Sequence, residues 1–407
     1  MKLTPKGMRD ILPEDMIIRE DVKERIVQIY QSYGYRPIDT PAMEYLETLQ
    51  KKAGDEVAKQ IFVLEGERLG LRFDLTVPLA RLASNSDLTK PFKRYCIGPV
   101  WRREEPQKGR YREFWQADVD IIGSSSMRCE AELLFLARSI CLEFGFDKPK
   151  ILLNNRKILE ALADKLGFSG KKDEVFRILD KIDKIGQDKV ESQLDEILGK
   201  TAKEFLSYID ADGSNADRLS RVREVCPQGV AELEEILCLS DFEIEIDVSL
   251  VRGLGYYTGP VYEIKLSDDI GTVIAGGRYD GLMGVYGQAE PAVGISVGIE
   301  RLIFLLSDQE EKQYSRTSVF VGCAKPDFYD YSVKVASKLR ENGVRCETDL
   351  KSRNLRKQFD YVNSLGIRFM IILGQKEKDE GKVTLKDMRS GDEEMLLLAD
   401  AIKKISG

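Results

Sequence analysis

The chain of 407 residues contains no histidine. That absence removes a Ser-His-Asp triad, a Cys-His pair, an H-E-x-x-H zinc site and any imidazole general base. Whatever chemistry the protein performs must rest on Arg, Lys, carboxylates, Tyr and backbone groups. No C-x-x-C pair occurs either. The seven cysteines (96, 129, 141, 226, 238, 323 and 346) are scattered, which argues against a zinc site or a disulfide framework and leaves them as small buried hydrophobes. No apolar run approaches the ~20 residues needed to span a bilayer, and the start MKLTPKGMRD lacks the core of a signal peptide. A cytoplasmic chain with no membrane association is therefore expected. Net positive charge is missing as well: at −7 the protein is not built to be coated in nucleic acid. Low-complexity tracts and internal repeats are absent.

What is present is an ordinary globular composition, 43% hydrophobic and 32% charged, long enough for two or three domains. The run EDMIIREDVKERIVQIYQSYG has helical periodicity and stops at Gly34, a plausible C-terminal cap. YRPIDTPAMEY reads as a short strand, residues 60–75 as a hairpin and TVPLARLAS as a helix. Residues 92–123 read as two strands joined by a charged loop, followed by the helix MRCEAELLFLARSICLEFG. Between residues 156 and 240 strand signals vanish and Lys, Asp, Leu and Ile take helical spacing, which marks a helical insertion. Strands return with FEIEIDVSLV, GPVYEIKL and GTVIAG, and VGISVGIERLIFLLS reads as a helix. The expected domains are 1–155 and 241–310 for the two parts of a principal domain, 156–240 for the insertion and 317–407 for a C-terminal one. That last segment alternates strand and helix with short turns, the pattern of a compact α/β domain. It carries 17 Lys and Arg against 14 Asp and Glu, so it is basic within an acidic chain. Its densest patch, KSRNLRK, holds Lys351, Arg353, Arg356 and Lys357. A solvated helix face is the economical reading of that patch on charge alone, and a phosphate-contacting surface the sharper one.

Two stretches ask for chemistry. LVRGLGYYTG (250–259) has glycines that invite a dinucleotide-binding reading, but that fingerprint needs a strand before the glycines and a helix after them. Strands are expected on both sides here and the spacing is wrong, so the dinucleotide reading fails. The loop in VWRREEPQKGRYREFWQADVDIIG (100–123) holds Arg102, Arg103, Arg110 and Arg112. Arginine suits phosphate because its planar fork grips two oxygens and stays charged. A surface hairpin of alternating charge is the simpler alternative. It is weakened because Arg102, Arg110 and Arg112 fall beside apolar strand residues, where an unpaired charge is costly. Asp118 and Asp120 alternate with apolar residues, as a solvent-facing strand edge would.

Taken in order, these motifs resemble those of class II aminoacyl-tRNA synthetases, and specifically the histidyl-tRNA synthetases. GYRPIDTPAME resembles the first class motif, Trp101–Gly123 the second and PAVGISVGIERL the third. RGLGYYTG resembles the family's R-G-L-D-Y-Y, and AGGRYDGL (275–282) its partner motif. The resemblance covers essentially the whole chain. It implies an α+β catalytic domain, an antiparallel sheet flanked by helices, with a helical insertion and a C-terminal anticodon-binding α/β domain. It implies activation of L-histidine with ATP and Mg2+, transfer to the 3′ end of tRNA(His), and a homodimer formed through the first motif. Arg102 would hold the ATP α-phosphate and the substrate carboxylate. Glu104 would meet the adenine edge, Phe114 would stack on the ring, and Arg110 and Arg301 would clamp the terminal phosphates. Arg252 would face the α-phosphate, in place of one metal ion used by other members of the class; no protein side chain is assigned to a metal. Asp74, Thr76 and Gln116 would bind the α-ammonium. Asp120 and Tyr257 would meet the two imidazole nitrogens, and Tyr279 would line the same pocket. Lys351, Arg353, Arg356 and Lys357 would lie on the anticodon-binding surface.

The departures from the pattern are specific. Asp at positions 74 and 120, where bacterial members commonly carry Glu, places the chain nearer the archaeal and eukaryotic branch. Arg103 and Trp115 stand where His is frequent in the second motif. Gly255 stands where the family motif has Asp, which implies an altered pocket wall or a weakened enzyme. The rival reading is a synthetase-like regulatory subunit or sensor that binds histidine or tRNA. Only Gly255 speaks for it, because the four ATP arginines and the C-terminal domain are all present.

Overall fold

The computed structural model describes residues 4–51, 58–106, 111–252, 255–267, 270–307 and 314–406. The chain divides into two compact units, Met1–Asp10 with Val22–Asp308, and Ile11–Asp21 with Gln309–Gly407.

The strands of the first unit are β1 (Arg36–Pro37), β2 (Met43–Tyr45), β3 (Leu69–Leu71), β4 (Phe92–Trp101), β5 (Glu113–Ile122), β6 (Lys150–Asn155), β7 (Glu245–Ile246), β8 (Pro260–Lys265), β9 (Thr272–Arg278) and β10 (Ala292–Gly298). An eight-stranded sheet has the order β1-β4-β5-β10-β9-β8-β6-β7, while β2 and β3 pair separately. From β4 through β6 every neighbouring pair is antiparallel, and β1 and β7 add parallel edges. Helices cover the sheet by periodicity. In Arg128–Glu143 the buried Cys129, Leu133, Leu136, Ala137 and Ile140 recur three and four apart. In the helix Pro13–Ser32, Val22, Ile26 and Tyr30 are buried at spacings of four, and the Tyr30 hydroxyl donates to the Ala117 carbonyl at 2.9 Å. That helix ends where expected, with Gly34 just beyond it at φ +79°.

Two expectations fail in this unit. VGISVGIERLIFLLS is not one helix: its first half is β10, and only Ile299–Ser307 is helical. A strand buried on both faces reads as a continuous apolar run, which periodicity alone cannot separate from a buried helix. FEIEIDVSLV is not one strand either: only Glu245–Ile246 pairs in the sheet. Arg252 takes a left-handed backbone, φ +61°, which ends any extended run, and the next strand starts only at Pro260. Residues 253 and 254 lie outside the described residues.

Residues 156–240 form helices that all fall within the first unit, among them Arg156–Lys165, Gln187–Leu198 and Pro227–Leu239. Asn155 caps the first by accepting from the Lys157 amide, and a Ser214–Asp217 capping box opens Asn215–Arg223.

The second unit holds β11 (Val319–Cys323), β12 (Cys346–Thr348), β13 (Phe369–Leu373), β14 (Val383–Asp387) and β15 (Glu393–Leu396), in the sheet order β12-β11-β13-β14-β15. Period two divides its core. Val319, Val321 and Ile371 pack in one apolar cluster, while Phe320 and Met370 face another. Among the described residues no helix is long and apolar enough to cross a membrane.

Candidate functional site

The centre of the large sheet carries a polar row. Gln116, Asp118 and Asp120 alternate along β5 and so share one face. Their register partners are Gly98, Cys96 and Arg94 on β4, and Gly298, Ser296 and Gly294 on β10. The small residues of β9 and β10 make room for the carboxylates. A Cβ on Gly294 would lie 2.0 Å from Asp120 Oδ1, and one on Gly276 would lie 2.1 Å from the Gly294 carbonyl oxygen. All three polar side chains are buried, so the solvent-facing reading of Asp118 and Asp120 fails.

Asp120 is held from two sides. Arg94, fully buried, places Nη2 2.6 Å from Oδ2, and the Tyr279 hydroxyl donates to Oδ1. Burial raises the Asp120 pKa, opposed by Arg94 and by the Tyr279 hydrogen bond. Asp74, in the loop before the helix Thr76–Ser84, accepts from the Val77 amide at 3.0 Å and lies 3.5 Å from the Tyr256 hydroxyl. Burial pushes its carboxyl up to about 6, with Val77 and Arg102 pulling the other way. Thr76 also reaches the Tyr256 hydroxyl. The Tyr256 ring packs between those of Tyr257 and Tyr279, with centroids 4.9 and 5.8 Å away.

The arginines form a second group. Arg102, at the end of β4, donates from Nε to the Phe73 carbonyl at 2.9 Å and lies over the Phe114 ring at 5.1 Å. The Glu104 carbonyl accepts from Arg112 Nε at 2.9 Å, and the Arg112 amide donates to the Gly7 carbonyl at 2.8 Å. Arg252 pairs with Glu263 at 2.6 Å, and Thr272 donates to the other Glu263 oxygen. Burial opposes charge on Glu263, yet Arg252 and Thr272 outweigh it and hold the carboxyl below its usual range. Arg301 donates to the Thr272 carbonyl, which ties it to the same corner. Tyr257 links the two groups, because its hydroxyl meets both Arg252 and Tyr256. Of the anticipated positions, Asp74, Thr76, Arg102, Gln116, Asp120, Tyr257, Tyr279, Arg252 and Arg301 thus fall into one linked network. Glu104 and Phe114 lie beside Arg102. Arg110 lies outside the described residues.

Lys351, Arg353, Arg356 and Lys357 belong to the second unit. Lys351, Arg356 and Lys357 are exposed, whereas Arg353 is tied down, paired with Asp349 at 2.7 Å and lying over the Tyr361 ring at 4.2 Å.

Reading by motif missed Arg94, Asp118, Glu263 and Ser296. Arg94 had a signal: it shares a strand face with Phe92 and Cys96, where an unpaired charge is not tolerated.

Family models match along nearly the whole chain: Histidyl-tRNA synthetase over residues 7–302 and Anticodon binding domain over residues 318–407. The chain is 38% identical to the histidine–tRNA ligase of Aeropyrum pernix and 39% identical to that of Clostridium tetani, in each case over 98% of this chain and 97% of the relative. The crystal structure of histidyl-tRNA synthetase from Nostoc sp. PCC 7120 superposes with a TM-score of 0.85 at 32% identity, covering 100% of this chain and 99% of that one.

Proposed function

The chain belongs to the histidyl-tRNA synthetase family, and on that premise we propose how its own residues carry the two-step charging of tRNA. The protein activates L-histidine with ATP to histidyl-adenylate and transfers histidine to the 3′ end of tRNA(His). The observation that carries this reading is the buried row Gln116-Asp118-Asp120 set against Tyr279, Tyr257 and Asp74. It offers carboxylates to a cationic, ring-bearing amino acid, with arginines grouped beside it.

In the first step a histidine carboxylate oxygen attacks the α-phosphorus and pyrophosphate leaves. Arg102 holds the substrate carboxylate and the α-phosphate together, and Arg252 faces that phosphate from the other side. Arg110 and Arg301 hold the terminal phosphates, Phe114 stacks on adenine and Glu104 meets its edge. No covalent enzyme intermediate is needed: positioned guanidinium groups stabilise charge as it builds, and geometry replaces a bimolecular encounter. Glu263 aims Arg252. Asp74, Thr76 and Gln116 take the α-ammonium. Asp120 accepts from one ring nitrogen and Tyr257 meets the other, with Tyr279 holding Asp120. A ligand lacking either nitrogen leaves a buried group unpaired, which makes selection steep. A divalent ion accompanies ATP, and we take it to be Mg2+ entering on the phosphates. Among the described residues no group of three or more Cys, Asp or Glu could hold a metal ion, so no step is routed through one.

Residues 156–240 are read as an inserted helical domain. Residues 317–407 are read as the anticodon-binding domain, with Lys351, Arg356 and Lys357 on its contact face. Homodimerisation through the first motif and a cytoplasmic location complete the proposal.

Histidine-dependent ATP–pyrophosphate exchange tests it. The wild type exchanges label only with histidine, and Asp120→Ala and Arg252→Ala each lower the rate by ~100-fold or more. Absence of exchange in the wild type would point instead to a regulatory relative.

A further inference from the structure

Asp118 lies between Gln116 and Asp120 on the polar row and is used by none of the steps above. It is 2% exposed, and its Oδ1 has no hydrogen-bond partner among the described residues. Ser296, opposite it on β10, shows which atoms are left over. Gln116 Nε2 donates to the Ser296 hydroxyl oxygen at 2.7 Å, and Ser296 in turn hydrogen-bonds Asp118. The Gln116 amide is thereby oriented, and its Oε1 is also buried without a partner. Two neighbouring acceptors, one of them a carboxylate oxygen, are thus sealed from water and lack donors. Buried acceptors are rarely left in that state.

We propose that Asp118 is a third carboxylate of the amino-acid seat, receiving the α-ammonium group of histidine together with Gln116 and Asp74. An ammonium group brings three donors and one positive charge, which is what these acceptors lack. The assignment rests on the histidine reading given above. Asp118 is faced by Arg94 and Cys96 from β4, Asp120 from β5, Asp74 and Tyr256 from two loops, and Tyr30 from the helix Pro13–Ser32. The Arg94 guanidinium thus serves two buried carboxylates, Asp118 and Asp120, and sits closest to Asp120, while Arg102 acts on Asp74. Burial pushes the Asp118 carboxyl up to about 7 in the ligand-free protein, against the pull of Arg94. The ligand-free site therefore holds an extra proton near neutrality. The arriving ammonium replaces it, and the proton leaves to solvent. Arg94 is a positioning residue: it keeps the charge on Asp120 so that the proton resides on Asp118.

The experiment is histidine binding to the full-length protein by titration calorimetry in buffers of different ionisation enthalpy, from about pH 6 to about pH 8. The ligand's ring titrates in the same range, so the readout is the difference between wild type and Asp118→Asn. The wild type is expected to release about one proton more than Asp118→Asn near pH 6.5, and the variant to bind histidine ~10- to 100-fold more weakly at pH 8 with unchanged ATP affinity. A measurement on the wild type alone covers the case of a misfolded variant: infrared difference spectra should lose a protonated-carboxyl band when histidine binds. Histidine binding with no lost band, or with wild-type affinity and proton release in Asp118→Asn, overturns the assignment and leaves the functional reading standing. A wild type that binds no histidine overturns both.

Discussion

Two of the arginine–carboxylate pairs buried against the large sheet, Arg278–Glu130 and Arg94–Asp120, are built to opposite ends. At the end of β9, Arg278 donates from Nε and Nη2 to the two oxygens of Glu130, at 2.5 and 2.8 Å. Its remaining donors reach the Ser124 and Ser126 carbonyls and Asp280. Every charge there has a fitted partner. On β4, Arg94 meets Asp120 through Nη2, while its Nε and Nη1 and the Asp118 Oδ1 have no partner among the described residues. A buried ion pair offsets its desolvation only when its remaining hydrogen bonds are satisfied. The first pair meets that condition and fixes the segment leading into Tyr279. The second does not, and it lies where a ligand is expected. Of these two pairs, the one with incomplete hydrogen bonding is the one at the proposed binding site.

The largest effect expected from breaking this contrast comes from the complete pair. Glu130→Ala strands a buried guanidinium and should cost roughly 3–5 kcal/mol of folding stability, read by urea unfolding. A loss below about 1 kcal/mol would mean that the Arg278 carbonyl contacts suffice alone and that the two pairs do not differ in kind. Glu130, on the helix Arg128–Glu143, takes part in none of the proposed substrate contacts, so pyrophosphate exchange in the surviving folded fraction should keep its histidine dependence.

The incomplete pair should respond to pH through the carboxylate beside it. Asp118 has a folded-state pKa raised to about 7, mainly by burial, above its value in an unfolded chain. The stabilisation that its proton supplies is complete below the unfolded pKa and is lost as pH rises through the folded one. Between about pH 6 and about pH 8 the ligand-free protein should lose about 1.4 kcal/mol from this group, one pKa unit's worth. With no histidine in the chain, no imidazole obscures the window. Melting temperatures across that range should fall for the wild type, fall less for Asp118→Asn, and flatten when histidine saturates the wild type. A ligand-free wild type that is equally stable at both ends would place the proton elsewhere.

Much of this architecture is legible in the sequence because periodicity is local. TVPLARLAS reads as a helix from its own spacing, and the alternating C-terminal segment reads as α/β. The errors come where long-range pairing decides. Val293–Gly298 becomes a strand because β5 and β9 flank it, and nothing within six residues announces that. The site divides similarly. Asp120, Tyr257 and Tyr279 stand in recognisable motifs, and the fold does bring them together. Arg94 is signalled only by the apolar face it shares with Phe92 and Cys96, and Asp118 does not stand out, because what distinguishes it is burial in the middle of a sheet and a missing donor, neither of which is written in the neighbouring residues.

The smallest expected effect concerns the residue that departs from the family motif. Gly255 follows Arg252 and precedes the tyrosines, is exposed, and has open space where a Cβ would be added, with nothing within 4 Å among the described residues. Its backbone is not in the left-handed region, so no glycine is demanded there. Gly255→Asp should therefore fold normally, within about 0.5 kcal/mol of wild type, since exposed substitutions away from caps and cores stay in that range. In the proposed seat Asp120 and Tyr257 meet histidine from inside the sheet and the tyrosine stack, and neither lies within 4 Å of a Cβ added at this position. The variant should accordingly change the KM for histidine by less than about threefold. A tenfold gain in kcat/KM would instead show that the natural glycine holds the enzyme below its capacity, and that the pocket extends past the buried row into this exposed turn.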